Sequence, residues 1–108
     1  MQEIVGTDIY LTRGDTGYLD LYIRNPETRQ AYELVEGDTL VFTMRRSKRH
    51  PIVLQKELEG NFLKIDPEDT ETLEFGDYVY DIELTFANGD VDTVIPTSKF
   101  RLLDEVTY

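Results

Sequence analysis

Tyr78 to Phe86 alternates without a break. Tyr78, Tyr80, Ile82, Leu84 and Phe86 fall on one side, with Val79, Asp81, Glu83 and Thr85 on the other. Successive side chains of an extended chain leave opposite faces, so this period of two predicts a half-buried β-strand. Asn88-Gly89 follows, the pair favoured in type I′ hairpin turns because both central residues need positive φ. Upstream, Asp66-Pro67-Glu68-Asp69-Thr70 runs toward Gly76. Asp66 suits a helix N-cap, Pro67 the first helical position, and Glu68 and Asp69 the positive end of the helix dipole. The segment constrains the chain to β structure with one short helical turn near 67–73. It assigns no chemistry.

The same grammar extends along the chain. Ile9-Tyr10-Leu11 reads as a first strand, ended by Arg13-Gly14-Asp15. From Gly17 to Arg24, Leu19, Leu21 and Ile23 point inward while Tyr18, Asp20, Tyr22 and Arg24 point outward. Asn25-Pro26-Glu27 is a turn. Gln30 to Val35 is a weaker strand, and Leu40, Phe42 and Met44 mark a firm one. Ser47 to Pro51 is a basic loop. Ile52, Leu54, Lys56 and Leu58 continue as a strand to a hairpin turn at Glu59-Gly60-Asn61, with Phe62, Leu63 and Ile65 returning. Val91, Thr93 and Ile95 alternate until Pro96, which cannot donate to a ladder and so predicts an edge strand or a bulge. Phe100, Leu102 and Val106 close the domain. About seven to eight short strands without a long helix predict a single antiparallel β-sandwich domain spanning 1–108.

Composition narrows the function classes. The chain has 108 residues, no cysteine and a formal net charge of −11. Disulfides, thiolate metal sites and a thiol nucleophile are excluded. A strongly acidic field repels phosphate backbones, so nucleic acid is not an expected partner. No apolar run approaches the roughly 18 residues a membrane span requires, and the first residues lack a basic, apolar leader. The expectation is a soluble protein made in a cytoplasm, with no membrane partner.

The candidate chemical signals each have a simpler local reading. Among 22 acidic residues, chance pairs are certain, so Asp81 and Glu83 read as solvated surface rather than a glycosidase pair. The Asn88–Asp92 and Asp66–Asp69 loops are oxygen-rich, yet a hairpin turn and a helix start account for them; no metal or cofactor is expected. His50 lies in a basic loop with no partner at a motif spacing. Arg13-Gly14-Asp15 spells an adhesion tripeptide but is also ordinary turn chemistry. The remaining signal is charge segregation. Arg45, Arg46, Lys48 and Arg49 form a basic loop, while Asp66, Asp69 and Asp77 belong to an acidic rim. The two patches are complementary, and copies meeting through them would assemble head to tail.

Two patterns carry resemblances. Leu73-Glu74-Phe75-Gly76-Asp77-Tyr78-Val79-Tyr80 resembles the E–F corner of immunoglobulin-like domains. That resemblance implies an immunoglobulin-like sandwich in which the Tyr78 hydroxyl bonds back to the corner, with Tyr80 at the antibody cysteine position. The longer set, Arg13-Gly14-Asp15-Thr16, Gly37-Asp38, Pro67-Glu68-Asp69-Thr70 and Gly76 to Ile82, resembles small β-sandwich structural proteins of tailed phages and prophages of Gram-positive bacteria. The family nearest in pattern is the N-terminal domain of phage baseplate upper proteins. It implies a non-catalytic virion or assembly protein that binds other virion proteins or further copies of itself. Members of that family continue into further domains, whereas this sequence ends at Tyr108, which leads to the expectation of a small stand-alone protein. The rival class is a carbohydrate-binding or cell-surface-binding module, with Tyr10, Tyr18, Tyr22 and Tyr32 as stacking candidates. A flat row of exposed tyrosines would favour that rival; scattered tyrosines beside unpaired edge strands would favour assembly.

Overall fold

The computed structural model describes residues 2–24 and 30–104. Among the described residues the strands are β1 (Gln2–Val5), β2 (Asp8–Thr12), β3 (Gly17–Asp20), β4 (Thr39–Arg45), β5 (Ile52–Glu57), β6 (Phe62–Ile65), β7 (Gly76–Thr85) and β8 (Val91–Leu103). The single helical turn, α1, covers Pro67–Thr70 and begins with a capping box made by Asp66 and Asp69. Six strands form one sheet in the order β1-β2-β8-β7-β4-β5, and β3 and β6 form a second. In chain order, β8-β7-β4-β5 against β3-β6 follows the G-F-C-C′ and B-E arrangement of immunoglobulin sandwiches.

Alternation decides what is buried. Leu40, Phe42 and Met44 of β4 face Tyr78, Tyr80, Ile82 and Leu84 of β7, and all of them are buried. Leu63 and Ile65 from β6 and Phe100 and Leu102 from β8 complete one core. The Phe42, Tyr80 and Phe100 rings meet there, with centroids 5.2 Å (Phe42–Tyr80) and 6.3 Å (Tyr80–Phe100) apart. The Tyr80 hydroxyl donates to the Thr7 carbonyl, which ties the β1–β2 turn to the centre of the core.

The structure corrects several expectations. The sheet is not wholly antiparallel, because β2 runs parallel to β8, with Ile9 opposite Phe100 and Leu11 opposite Leu102. Nearly the whole chain separates these two strands, which supplies the long crossover that parallel pairing needs. β1 was not predicted; it adds a hairpin strand outside β2. β3 ends at Asp20 rather than Arg24. The inward and outward alternation persists through Ile23, but Leu21 exchanges hydrogen bonds with Asn61 at 2.8 and 2.9 Å instead of continuing the ladder. Gln30–Val35 is not a strand. It keeps one bridge, Ala31 to Arg24, and a Tyr32 N–H bond to Ile23. The Glu59–Asn61 turn forms, yet β6 pairs with β3, not back onto β5. The predicted turn at 25–27 and Val106 lie outside the described residues.

Pro96 sits at a bulge. Tyr80 pairs with Ser98 and Ile82 with Ile95, so two residues of β8 face Asp81 alone. As a whole β8 is an interior strand, flanked by β2 and β7. Its β2 pairing covers only 100–103, leaving the half with Pro96 paired to β7 alone, where a missing N–H is tolerated.

Asp38 fastens the loops at the opposite end. Its carboxylate accepts the Tyr32 hydroxyl at 2.6 Å, the Val35 N–H at 3.0 Å and the Ala87 N–H at 3.1 Å. The Tyr32 bond, followed by the Val35 bond, holds this carboxyl below the usual aspartate range. Gly37 beside it has φ of +95°, and a Cβ there would lie 2.8 Å from that of Ala87. Only glycine satisfies both demands.

Candidate interaction surface

The corner between α1 and β7 gathers motifs that are far apart in sequence. Thr70, fully buried, accepts the Gly14 N–H at 3.0 Å through its hydroxyl. Arg13 donates to the Leu73 carbonyl at 3.2 Å and lies 4.0 Å above the Phe75 ring centre. Arg46 donates to the Phe75 carbonyl at 3.3 Å and lies 4.7 Å above the Tyr78 ring. The Arg13-Gly14-Asp15 turn is therefore built into the corner and is not a projecting loop. The Tyr78 hydroxyl donates to the Glu74 carbonyl at 2.7 Å, a bond of the type found in tyrosine corners. Tyr78→Phe removes that donor and is expected to cost on the order of 1–3 kcal/mol. Urea unfolding checks this; an unchanged midpoint would show that the bond does not hold the corner.

The two charged patches meet different fates. Asp66 pairs with Lys56 at 3.1 Å and Lys64 at 3.7 Å, and Asp69 with Lys56 at 2.5 Å. Asp77 is held by the Arg101 guanidinium at 2.7 and 3.3 Å. The Lys56 bond lowers the Asp66 pKa and the Arg101 bond lowers that of Asp77. Asp66, Asp69 and Asp77 thus each have a cationic partner within the chain. Within the basic loop, Arg45 donates to the His50 carbonyl at 2.9 Å, and Arg46 is committed to the corner beside Asp77. The loop therefore touches the acidic rim of its own chain. Lys48 and Arg49 are exposed and take part in no ion pair among the described residues.

The outer face of the six-stranded sheet presents Thr39, Val41, Thr43 and Arg45 from β4 beside Val79, Asp81, Glu83 and Thr85 from β7. Most of these side chains are only half-buried, and no second layer covers them among the described residues. A hollow of about 260 Å³ opens on this face between Thr43, Arg45, Lys48, Asp81 and Thr97. One Asp81 oxygen, Oδ1, is buried there with no hydrogen-bond partner. Asp81 faces the β8 bulge, where the irregular backbone leaves no matching cross-strand neighbour. Sequence reading marked Asp81 only as surface, since the bulge that isolates it depends on register.

The tyrosines are dispersed. Tyr10 stands on the outer face of β2, while Tyr18 is on the second sheet, stacked on Phe62 at 5.7 Å. Tyr32 is half-buried, edge-on to Phe86, with its hydroxyl tied to Asp38. Tyr22 is 92% exposed and borders a hollow of about 380 Å³ with Ile23, Tyr32 and Phe86. These rings form no single flat row.

The oxygen-rich loops are occupied by their own hydrogen bonds. Asn88 accepts the Asp90 N–H at 2.9 Å, and Asp69 accepts the Asp66 N–H at 2.8 Å. No group of three or more His, Asp or Glu side chains among the described residues is placed to hold a metal ion. No helix among them is long and apolar enough to cross a membrane. Compared with known proteins, the chain matches no family model and no curated protein.

Proposed function

We propose that this chain is a non-catalytic structural and interaction module of a phage or prophage virion, in its tail or baseplate or in their assembly. Its partners are other virion or assembly proteins and further copies of the chain, with neither nucleic acid nor membrane among them. The observation that carries the interaction reading is the outer face of the six-stranded sheet, half-buried along β4 and β7 and covered by no second layer among the described residues. The virion assignment is supported by the resemblance of the turn motifs to phage structural proteins. Mass spectrometry of particles purified after prophage induction in the source strain tests it. The chain is expected in fixed stoichiometry with other tail proteins; its absence from particles and from assembly intermediates would contradict the reading.

A second reading is carbohydrate or cell-surface binding, favoured by the hollow that Tyr22, Ile23, Tyr32 and Phe86 border. Affinity electrophoresis in gels containing cell-wall polysaccharide separates the two. Retardation that Tyr22→Ala abolishes would favour this rival.

A further inference from the structure

We propose that two copies of this chain join edge to edge through β5, forming an isologous dimer in which two six-stranded sheets run on as one. The inference rests on the reading of the chain as an interaction module and names a second copy as a partner.

Among the described residues β5 ends the large sheet and pairs on one side only, with β4. Just beyond it, Leu58 gives its N–H to the Leu40 carbonyl at 2.8 Å. Backbone groups alternate in direction along a strand, so those of Leu54 and Lys56 also turn toward β4. Those of Gln55 and Glu57 consequently turn outward, unmatched. Proteins commonly guard such an edge with bulges and lysines. Here the bulge lies at the N-terminal end, where Val53 has no opposite residue on β4, and Leu54–Glu57 stay in regular register. The Lys56 ammonium is drawn inward by Asp66 and Asp69 and guards nothing. Ile52 is 43% and Val53 38% exposed, so the edge also carries apolar surface.

Charge selects the orientation. Lys48 and Arg49 stand just before β5, and Glu57 and Glu59 stand at and beyond its end. All four are exposed, and none takes part in an ion pair among the described residues. A parallel neighbour would set like charges together. An antiparallel second copy, centred on Gln55, sets each basic end beside the other copy's acidic end, twice over. Gln55 then pairs with its own counterpart through the outward backbone groups, and Glu57 lies opposite Val53 of the second copy. Because the same patch serves both copies, the contact is closed by a twofold axis, unlike the head-to-tail assembly expected from the Asp66–Asp77 rim.

Sedimentation velocity of the whole chain over a concentration series tests this. The dimer is expected at low salt and weakens as salt rises, since the screening length falls from about 30 Å at 0.01 M to about 3 Å at 1 M. Gln55→Pro removes an outward N–H without touching the backbone bonds to β4, and is expected to be monomeric with an unchanged circular dichroism spectrum. Gln55→Ala loses the same side-chain bond to Thr43 but keeps the N–H, and remains dimeric. Lys48→Glu with Arg49→Glu weakens the dimer by about tenfold or more, and adding Glu57→Lys with Glu59→Lys restores it. A wild-type chain that stays monomeric at low salt and high concentration would overturn the proposal, as would a dimer unaffected by Gln55→Pro. Either result leaves the virion reading standing, because particle composition tests that separately.

Discussion

Phe42→Ala is expected to destabilise the domain by about 3–5 kcal/mol, the range for deleting a buried aromatic ring. Phe42 has no exposed surface and lies against both Tyr80 and Phe100. Its removal leaves a void among rings contributed by β4, β7 and β8. Since a small domain has only about 5–15 kcal/mol of total stability, the variant should sit near the edge of folding. Each kcal/mol moves the Tm of a domain this size by roughly 4 °C or more, so a fall of well over ten degrees is expected in a thermal scan. A loss below about 1 kcal/mol in urea unfolding would mean that the aromatic cluster does not hold the sheets together.

Raising the pH from 10 to 12 is expected to cost about 2 kcal/mol through one side chain, the larger part of a linkage of two pK units at about 1.4 kcal/mol each. Burial pushes the Tyr80 hydroxyl up to about 12, with the Asp8 carboxylate adding to the shift. The sign follows from which state loses its proton first. Below pH 10 both folded and unfolded chains keep the phenol protonated, and its contribution is complete. Between 10 and 12 the unfolded chain ionises while the folded chain does not, so stability falls through that window. Tyr80→Phe removes this dependence. It also removes the bond to the Thr7 carbonyl, which lowers stability equally at every pH in the range. Urea unfolding at pH 8, 10, 11 and 12 should therefore give a steeper decline for the wild type than for Tyr80→Phe. Part of the decline persists in the variant, because the Tyr32 hydroxyl is also raised, chiefly by its bond to Asp38. Parallel declines would show that Tyr80 ionises as easily folded as unfolded.

How much of this was legible in the sequence depends on the range of the interaction. The strands β4 and β7 and the turn α1 were readable because alternation, a proline at the first helical position and an Asp cap are local signals. The inward direction of Leu19, Leu21 and Ile23 was readable for the same reason. Pairing was not. That β2 lies parallel to β8, and that β6 leaves β5 for β3, are decisions made by contacts between residues far apart in the chain. Gln30–Val35 had the right residue types for a strand, yet the Asp38 carboxylate takes the Val35 N–H from any ladder and anchors the Tyr32 hydroxyl beside it. β1 was missed because four residues are too few for a periodic signal to stand out.

The interaction surface was less legible. Charge segregation was visible, but Lys56 and Arg101, which pair with Asp66, Asp69 and Asp77, come from strands that only the fold brings beside them. Arg46 was grouped with the basic loop, whereas its guanidinium packs on Tyr78. Lys48, Arg49, Glu57 and Glu59, which take part in no ion pair among the described residues, bracket an edge strand. Knowing that β5 is an edge requires the sheet order.

A single engineered thiol tests the assembly account most directly. The chain contains no cysteine, so Gln55→Cys and Glu83→Cys each carry one reactive group, the first on the β5 edge and the second on β7, well inside the sheet. A pair of hydrogen-bonded antiparallel residues has Cα atoms about 5.5 Å apart, within reach of a short bifunctional maleimide. At micromolar protein and low salt, Gln55→Cys is predicted to give a covalent dimer within minutes of adding the reagent, while Glu83→Cys stays monomeric on the same gel. Gln55→Cys that remains monomeric, or two variants that cross-link at the same rate, would contradict the account.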